Sequence, residues 1–126
     1  TEFTLDGPMA LTIYHNPRCS KSRKTLELIR DAGIEPNIRL YLEDTPIADE
    51  IVDIASRLGL AVADLLRRGE SAFKEATDLP DLADDAALAT WLSSHAIVLE
   101  RPIVLDSDTG KAVVGRPPEN VQDLLP

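Results

Sequence analysis

Three observations in the sequence predict an α/β fold. Two stretches near the start alternate apolar and polar residues and flank a segment of helical periodicity. The middle of the chain carries helical periodicity only. Two further strand-like stretches near the end are separated by a turn-rich run at residues 106–110. A repeat of two places alternate side chains on opposite faces of a strand, and a repeat of three to four places them on one face of a helix.

Leu11, Thr12, Ile13 and Tyr14 form the first predicted strand. His15, Asn16 and Pro17 follow as a turn, because Pro17 bars Asn16 from the α region. From Ser20 the pattern is helical, with Leu26, Ile29 and Ala32 on one face, Leu28 beside them, and Gly33 suited to the C′ position. Residues 37–42 alternate again and predict a second strand. Strand, helix and strand make a βαβ unit, hence a parallel pair.

A helix should then start with Thr45 as N-cap and Pro46 at N1, with Asp49 and Glu50 favourably placed in its first turn. Ile47, Ile51, Ile54, Ala55 and Leu58 are its expected apolar stripe, and Gly59 its end. Val62, Leu65 and Leu66 suggest a short helix finishing near residues 67–69, whereas residues 71–75 are ambiguous. Asp84 or Asp85 can cap a helix carrying Leu88, Trp91 and Leu92 and ending near His95. Residues 102–105 and 111–114 then predict two antiparallel strands at hairpin distance. Pro117 and Pro118 start a last short helix with Val121, Leu124 and Leu125 on its face. This order, βαβ, a helical insert, then ββα, is a thioredoxin-like arrangement with an inserted helical subregion.

At 126 residues the chain is long enough to bury one substantial core. Aromatic residues make up only 4%, so that core must rest on Leu, Ile, Val and Ala. The formal net charge of −9 argues against sequence-independent nucleic-acid binding and against docking on an anionic membrane. No apolar run reaches membrane-spanning length and no signal-peptide pattern opens the chain, so a cytoplasmic, reducing location is expected. Residues 1–8 precede an internal Met9 and are expected to be a non-native remnant, leaving residues 9–126 as a single domain. A monomer is expected, with no metal site and no bound cofactor.

Cys19 is the one cysteine of the sequence. A free cysteine is most often a small buried hydrophobe, but Cys19 stands between Pro17-Arg18 and Ser20-Lys21-Ser22-Arg23, at the expected mouth of the first helix. Helix N–H groups, the macrodipole and nearby cations all favour a thiolate there. His15, four residues earlier across the proline turn, is placed to hydrogen-bond the thiolate or to cover it. Arg18, Lys21, Arg23 and Lys24 gather four of the thirteen cations into seven residues of an acidic protein. Cations at a helix start oppose the dipole, a local cost that suits an anion-binding site. Having no second cysteine, the thiol needs a resolving thiol from another molecule.

The run from Thr12 to Leu26, with His15, Asn16, Pro17, Cys19, Ser22, Arg23 and Thr25 in register, resembles the signature of the glutaredoxin-coupled arsenate reductases, the ArsC-like branch of the thioredoxin superfamily. The likeness continues through Tyr41-Leu42-Glu43, Leu65-Leu66-Arg67, Arg101-Pro102-Ile103-Val104 and Gly115-Arg116-Pro117. The resemblance implies that Cys19 attacks arsenate to form a thiolate–arsenic adduct, with His15 favouring its thiolate. It further implies that Arg67, Arg101 and Arg116 hold the oxyanion, with Asn16, Ser22, Arg23 and Pro102 supporting the loop. Arg101-Pro102 is accordingly the expected cis bond. Glutathione would be a co-substrate and glutaredoxin the partner. Two other readings share the fold: a glutathione-dependent thiol oxidoreductase, and a non-enzymatic Spx-like regulator. Many of the latter carry a Cys-x-x-Cys switch, where this chain has Ser22.

Overall fold

A computed structural model describes residues 11–125; the remnant expected at residues 1–8 lies outside them. The described chain divides into two compact units. One comprises residues up to Leu40 together with those from Arg101 onward; the other is Tyr41–Glu100.

The first unit is built on a four-stranded sheet in the order β2-β1-β3-β4. Its strands are β1 (Leu11–Tyr14), β2 (Asn37–Arg39), β3 (Ile103–Asp106) and β4 (Ala112–Val114). β1 pairs in parallel with β2, with Ile13 opposite Ile38. It pairs antiparallel with β3, with Ile13 opposite Val104, and β3 pairs antiparallel with β4. The expected βαβ unit and the expected antiparallel pair near the end of the chain are thus both formed. β2 is half the expected length, because the chain turns at Tyr41–Asp44 instead of continuing the alternation.

Helix α1 (Ser20–Asp31) connects β1 to β2. It ends as its glycine predicts: Gly33 has φ 85°, its N–H donates to the Arg30 carbonyl, and the Ile34 N–H donates to the Ile29 carbonyl. These two bonds are the Schellman pattern, and Ile34 is buried in the same cluster as Ile29. The inward face of α1 differs from the apolar periodicity. Ser22, Thr25, Leu26 and Ile29 are buried, while Ala32 is exposed. Two hydroxyl residues can occupy that face because each is bonded. Thr25 donates to the Lys21 carbonyl 2.8 Å away, and Ser22 meets His15. Leu11, Ile13, Leu26, Ile29, Val104 and Val121 form the unit's apolar core. A closing 3₁₀ segment, Pro118–Leu124, replaces the expected helix.

The second unit is helical. α2 (Ala48–Leu58) has Ile47 as N-cap, two residues beyond the expected Thr45. Ile51, Ile54 and Ala55 are buried, but Ile47 is 64% exposed and leaves the predicted stripe. Gly59 ends α2 in the left-handed region with φ 71°, as expected. A 3₁₀ turn, Val62–Leu65, stops short of Arg67, since Leu66 bridges to Leu99. α3 (Ser71–Lys74) occupies the ambiguous stretch. α4 (Asp85–Ser93) is capped by Asp84, whose carboxylate accepts from the Ala87 N–H at 3.1 Å. Beyond α4, His95 stacks on Trp91 with ring centroids 4.0 Å apart. No helix among the described residues is long and apolar enough to cross a membrane.

Candidate active site

The loop between β1 and α1 is held by a short chain of bonds. The Cys19 N–H donates to the Asn16 carbonyl at 2.9 Å, and the Arg18 N–H to Asn16 Oδ1 at 3.0 Å. The Asn16 N–H donates to Ser22 Oγ at 3.1 Å, and Ser22 Oγ lies 2.6 Å from His15 Nδ1. Ser22 has no solvent exposure, and His15 and Asn16 are buried. The direction of the His15–Ser22 bond follows the tautomer of the imidazole ring. Burial, then the positive charges of Arg30 and Arg23, hold His15 below its ordinary pKa, consistent with a neutral ring. The structure thus brings His15 to Ser22, with no bond from the ring to the Cys19 sulfur.

Cys19 is the N-cap of α1, at φ −94° and ψ 121°. Its sulfur makes no close side-chain cap bond of the kind Asp84 makes. The two N–H groups it faces still act on its charge. Burial pushes the Cys19 thiol up, but the backbone N–H groups of Ser22 and Lys21 and the charges of Arg116 and Arg101 together outweigh it. The net result is a pKa below that of an ordinary thiol. Cys19 is half-buried and free.

Arg116 supplies the nearest positive charge. Its Nη2 lies 3.4 Å from Cys19 Sγ, and its Nε donates to the Arg101 carbonyl at 2.7 Å. One guanidinium therefore spans the thiolate and the backbone of the residue before Pro102. The Arg101-Pro102 bond is cis, and so is Arg116-Pro117. Gly115 stands between these features. Its N–H donates to the Pro102 carbonyl at 2.9 Å. A Cβ at this position would come within 2.5 Å of Thr25 Oγ1 and 2.8 Å of Pro102 Cγ. Only a glycine lets the Arg116 strand end approach α1 and Pro102 this closely.

Of the other residues singled out in the sequence, Arg23 donates through Nη1 to the Pro17 carbonyl at 2.9 Å, tying the helix back to the loop. Arg67 belongs to the second unit, where it meets Glu70 at 3.4 Å and Glu100 at 3.1 Å. In the sequence Thr25 and Gly115 stand out only as matches within the family motifs, and the N–H groups of Lys21 and Ser22 only as a generic helix end. Gly115 carried one usable signal, its place directly before Arg116. Among the described residues no group of three or more His, Cys, Asp or Glu is arranged to hold a metal ion.

A β2-β1-β3-β4 sheet, a cysteine capping the helix after β1 and a cis-proline opening β3 define a thioredoxin-like thiol protein. Comparison with known proteins narrows the class: residues 14–124 match the ArsC family, and the chain belongs to it. It is 43% identical to an arsenate reductase of Haemophilus influenzae over 119 residues, covering 93% of this chain and all of that protein. It is 44% identical to an arsenate reductase of Neisseria meningitidis serogroup A, covering 91% and 97% of the two chains. Among solved structures, an arsenate reductase from Vibrio cholerae superposes with a TM-score of 0.82 at 40% identity, over 93% of this chain and 98% of that one.

Proposed function

We propose that this protein is an arsenate reductase in which Cys19 forms a thiolate–arsenic adduct and glutathione with glutaredoxin supplies the electrons. The observation that carries the reading is the Cys19 sulfur at the start of α1, with a guanidinium nitrogen of Arg116 3.4 Å away. The names of relatives at 41–44% identity support the substrate.

Arsenate is a tetrahedral oxyanion, for which guanidinium forks and helix N–H groups are suited donors. The Cys19 thiolate attacks As(V). A sulfur–arsenic bond forms, and one arsenate oxygen leaves as water after protonation. Arg116 and Arg101 balance the charge on the oxygens. Arg67 is assigned the same task; its five N–H donors serve two carboxylates and retain capacity for an oxyanion. A glutathione thiolate then attacks the Cys19 sulfur. The sulfur–arsenic bond breaks with its electron pair on arsenic, which departs as arsenite, and a Cys19–glutathione disulfide remains. Glutaredoxin attacks the glutathione sulfur and returns Cys19 as a thiolate. Two thiols are oxidised for each As(V) reduced to As(III), so the electrons balance. His15, Asn16, Ser22, Arg23 and Pro102 hold the loop and its flank in place.

Steady-state arsenite release with glutathione and glutaredoxin, compared between the protein and Cys19→Ser, tests this reading. Equal rates would overturn it. A Cys19–glutathione disulfide that forms and turns over without arsenate would instead identify a general glutathione-dependent thiol oxidoreductase.

A further inference from the structure

The closing 3₁₀ segment reaches back to the strand end that carries Arg116. Val121, within Pro118–Leu124, has no solvent exposure and belongs to the apolar core of the first unit, which ties the segment to the sheet. The Asn120 N–H donates to the Pro117 carbonyl at 3.0 Å and sets the turn. From there the Asn120 side chain spans two backbone oxygens. Its Nδ2 donates to the Val114 carbonyl at 3.0 Å and to the Arg116 carbonyl at 3.2 Å. Both partners are acceptors, so the amide must present its nitrogen, which has one hydrogen for each.

The two oxygens flank Gly115, on the stretch that leaves β4. That stretch is held on a second side by Gly115 itself. Its N–H bonds the Pro102 carbonyl at 2.9 Å, and it packs so closely that a Cβ would meet Thr25 Oγ1 at 2.5 Å. Residues 114–116 are thus gripped between the Pro102 backbone and the Asn120 amide. An arginine head on a long stem keeps a fixed distance only if its Cα is fixed too. Here the Nε bond to the Arg101 carbonyl holds the head of Arg116, and the Asn120 bond holds its root. Asp at position 120 would bring acceptors to acceptors, and Ser or Thr one hydrogen for two oxygens.

We propose that Asn120 is a positioning residue for Arg116, holding its backbone so that the guanidinium stays beside the Cys19 sulfur. The role rests on Arg116 serving Cys19 as in the proposed reaction. Its test needs no arsenate, so failure here and failure of arsenate as substrate are told apart.

The readout is the Cys19 titration midpoint, from ultraviolet thiolate absorbance of the full chain, which a merely structural contact on this turn would leave unmoved. Asn120 is exposed, so Asn120→Ala leaves the apolar core intact. An exposed amide bond competes with water, and its loss loosens Arg116 without releasing it. The midpoint should therefore rise by about 0.3 pH unit, roughly a twofold change in the thiolate equilibrium. In an Arg116→Ala background the same substitution should move it by less than about 0.1 unit. Gln122→Ala, at an exposed position of the same segment, is the control and should leave the midpoint in place. An unmoved midpoint in Asn120→Ala, an undiminished rise once Arg116 is gone, or a matching rise in Gln122→Ala would overturn the role. A protein that shows the expected pattern yet reduces no arsenate would keep the role and remove arsenate as substrate.

Discussion

Replacing Ser22 with alanine removes one oxygen and strands two polar groups. Ser22 Oγ is the partner of His15 Nδ1 at 2.6 Å and accepts from the Asn16 N–H at 3.1 Å, and all three residues are buried. A buried donor or acceptor left without its partner costs about 1–3 kcal/mol. Two such groups, less the small gain from no longer burying the serine hydroxyl, give a loss of about 2–4 kcal/mol. For a chain of this size that corresponds to a fall of roughly 3–5 °C in Tm per kcal/mol. Urea unfolding followed by far-ultraviolet circular dichroism at neutral pH measures the loss directly. A double-mutant cycle with His15→Leu separates the pair from the loop. Removing either partner should forfeit the same bond, so the two changes together should cost less than their sum by at least about 1 kcal/mol. A loss below about 1 kcal/mol for Ser22→Ala, or strict additivity in the cycle, would show that Ser22 does not anchor the loop.

Two further outcomes follow from the same geometry. His15 is held below its ordinary value of 6.5, so the unfolded chain takes up this proton first as pH falls. Stability should therefore decline as pH drops below about 6.5 and stop declining on this account once the folded value is passed. His15→Gln should lose that part of the slope, and identical pH profiles for the two proteins would remove His15 as its source. Arg116→Ala takes away the charge nearest the sulfur, so the Cys19 titration midpoint, read from ultraviolet thiolate absorbance, should rise. An unmoved midpoint would mean that the 3.4 Å contact does nothing for the anion.

The features that hold the site divide by how far apart their causes lie in the chain. Cys19 as a helix cap, the turn at Pro17 and the Gly33 stop are set by neighbours a few residues away, and each could be read from them. The strands and their two local pairings were legible too, because residues 11–14, 102–105 and 111–114 alternate or carry β-branched side chains and are separated by recognisable turns. Ser22 and Thr25 were hidden as core residues because hydrophobic periodicity counts apolar side chains. A hydroxyl that finds a buried acceptor occupies the same face without penalty. The short β2 escaped for the opposite reason: residues 40–42 keep an alternating pattern while the backbone turns away at Tyr41. Arg116 and Cys19 are 97 positions apart, and no local pattern brings a guanidinium to a sulfur over that distance. Only the family resemblance pointed to that arginine, and Glu100, 33 positions from the Arg67 it pairs with, had no local signal.

The order of the influences on Cys19 also limits what any arginine variant can do. Burial is the largest, and it favours the neutral thiol. Next come the Ser22 and Lys21 N–H groups, ahead of Arg116 and Arg101. The leading stabilisation of the thiolate is thus backbone, present whenever α1 is folded, and no side-chain substitution deletes it. Arg116 and Arg101 add charge that is also suited to oxyanion oxygens, so their removal should weaken substrate binding more than it raises the thiol pKa. Ser22 serves twice: its N–H faces the sulfur, and its hydroxyl meets the Asn16 N–H and His15 Nδ1, which ties the loop before the cysteine to the helix after it.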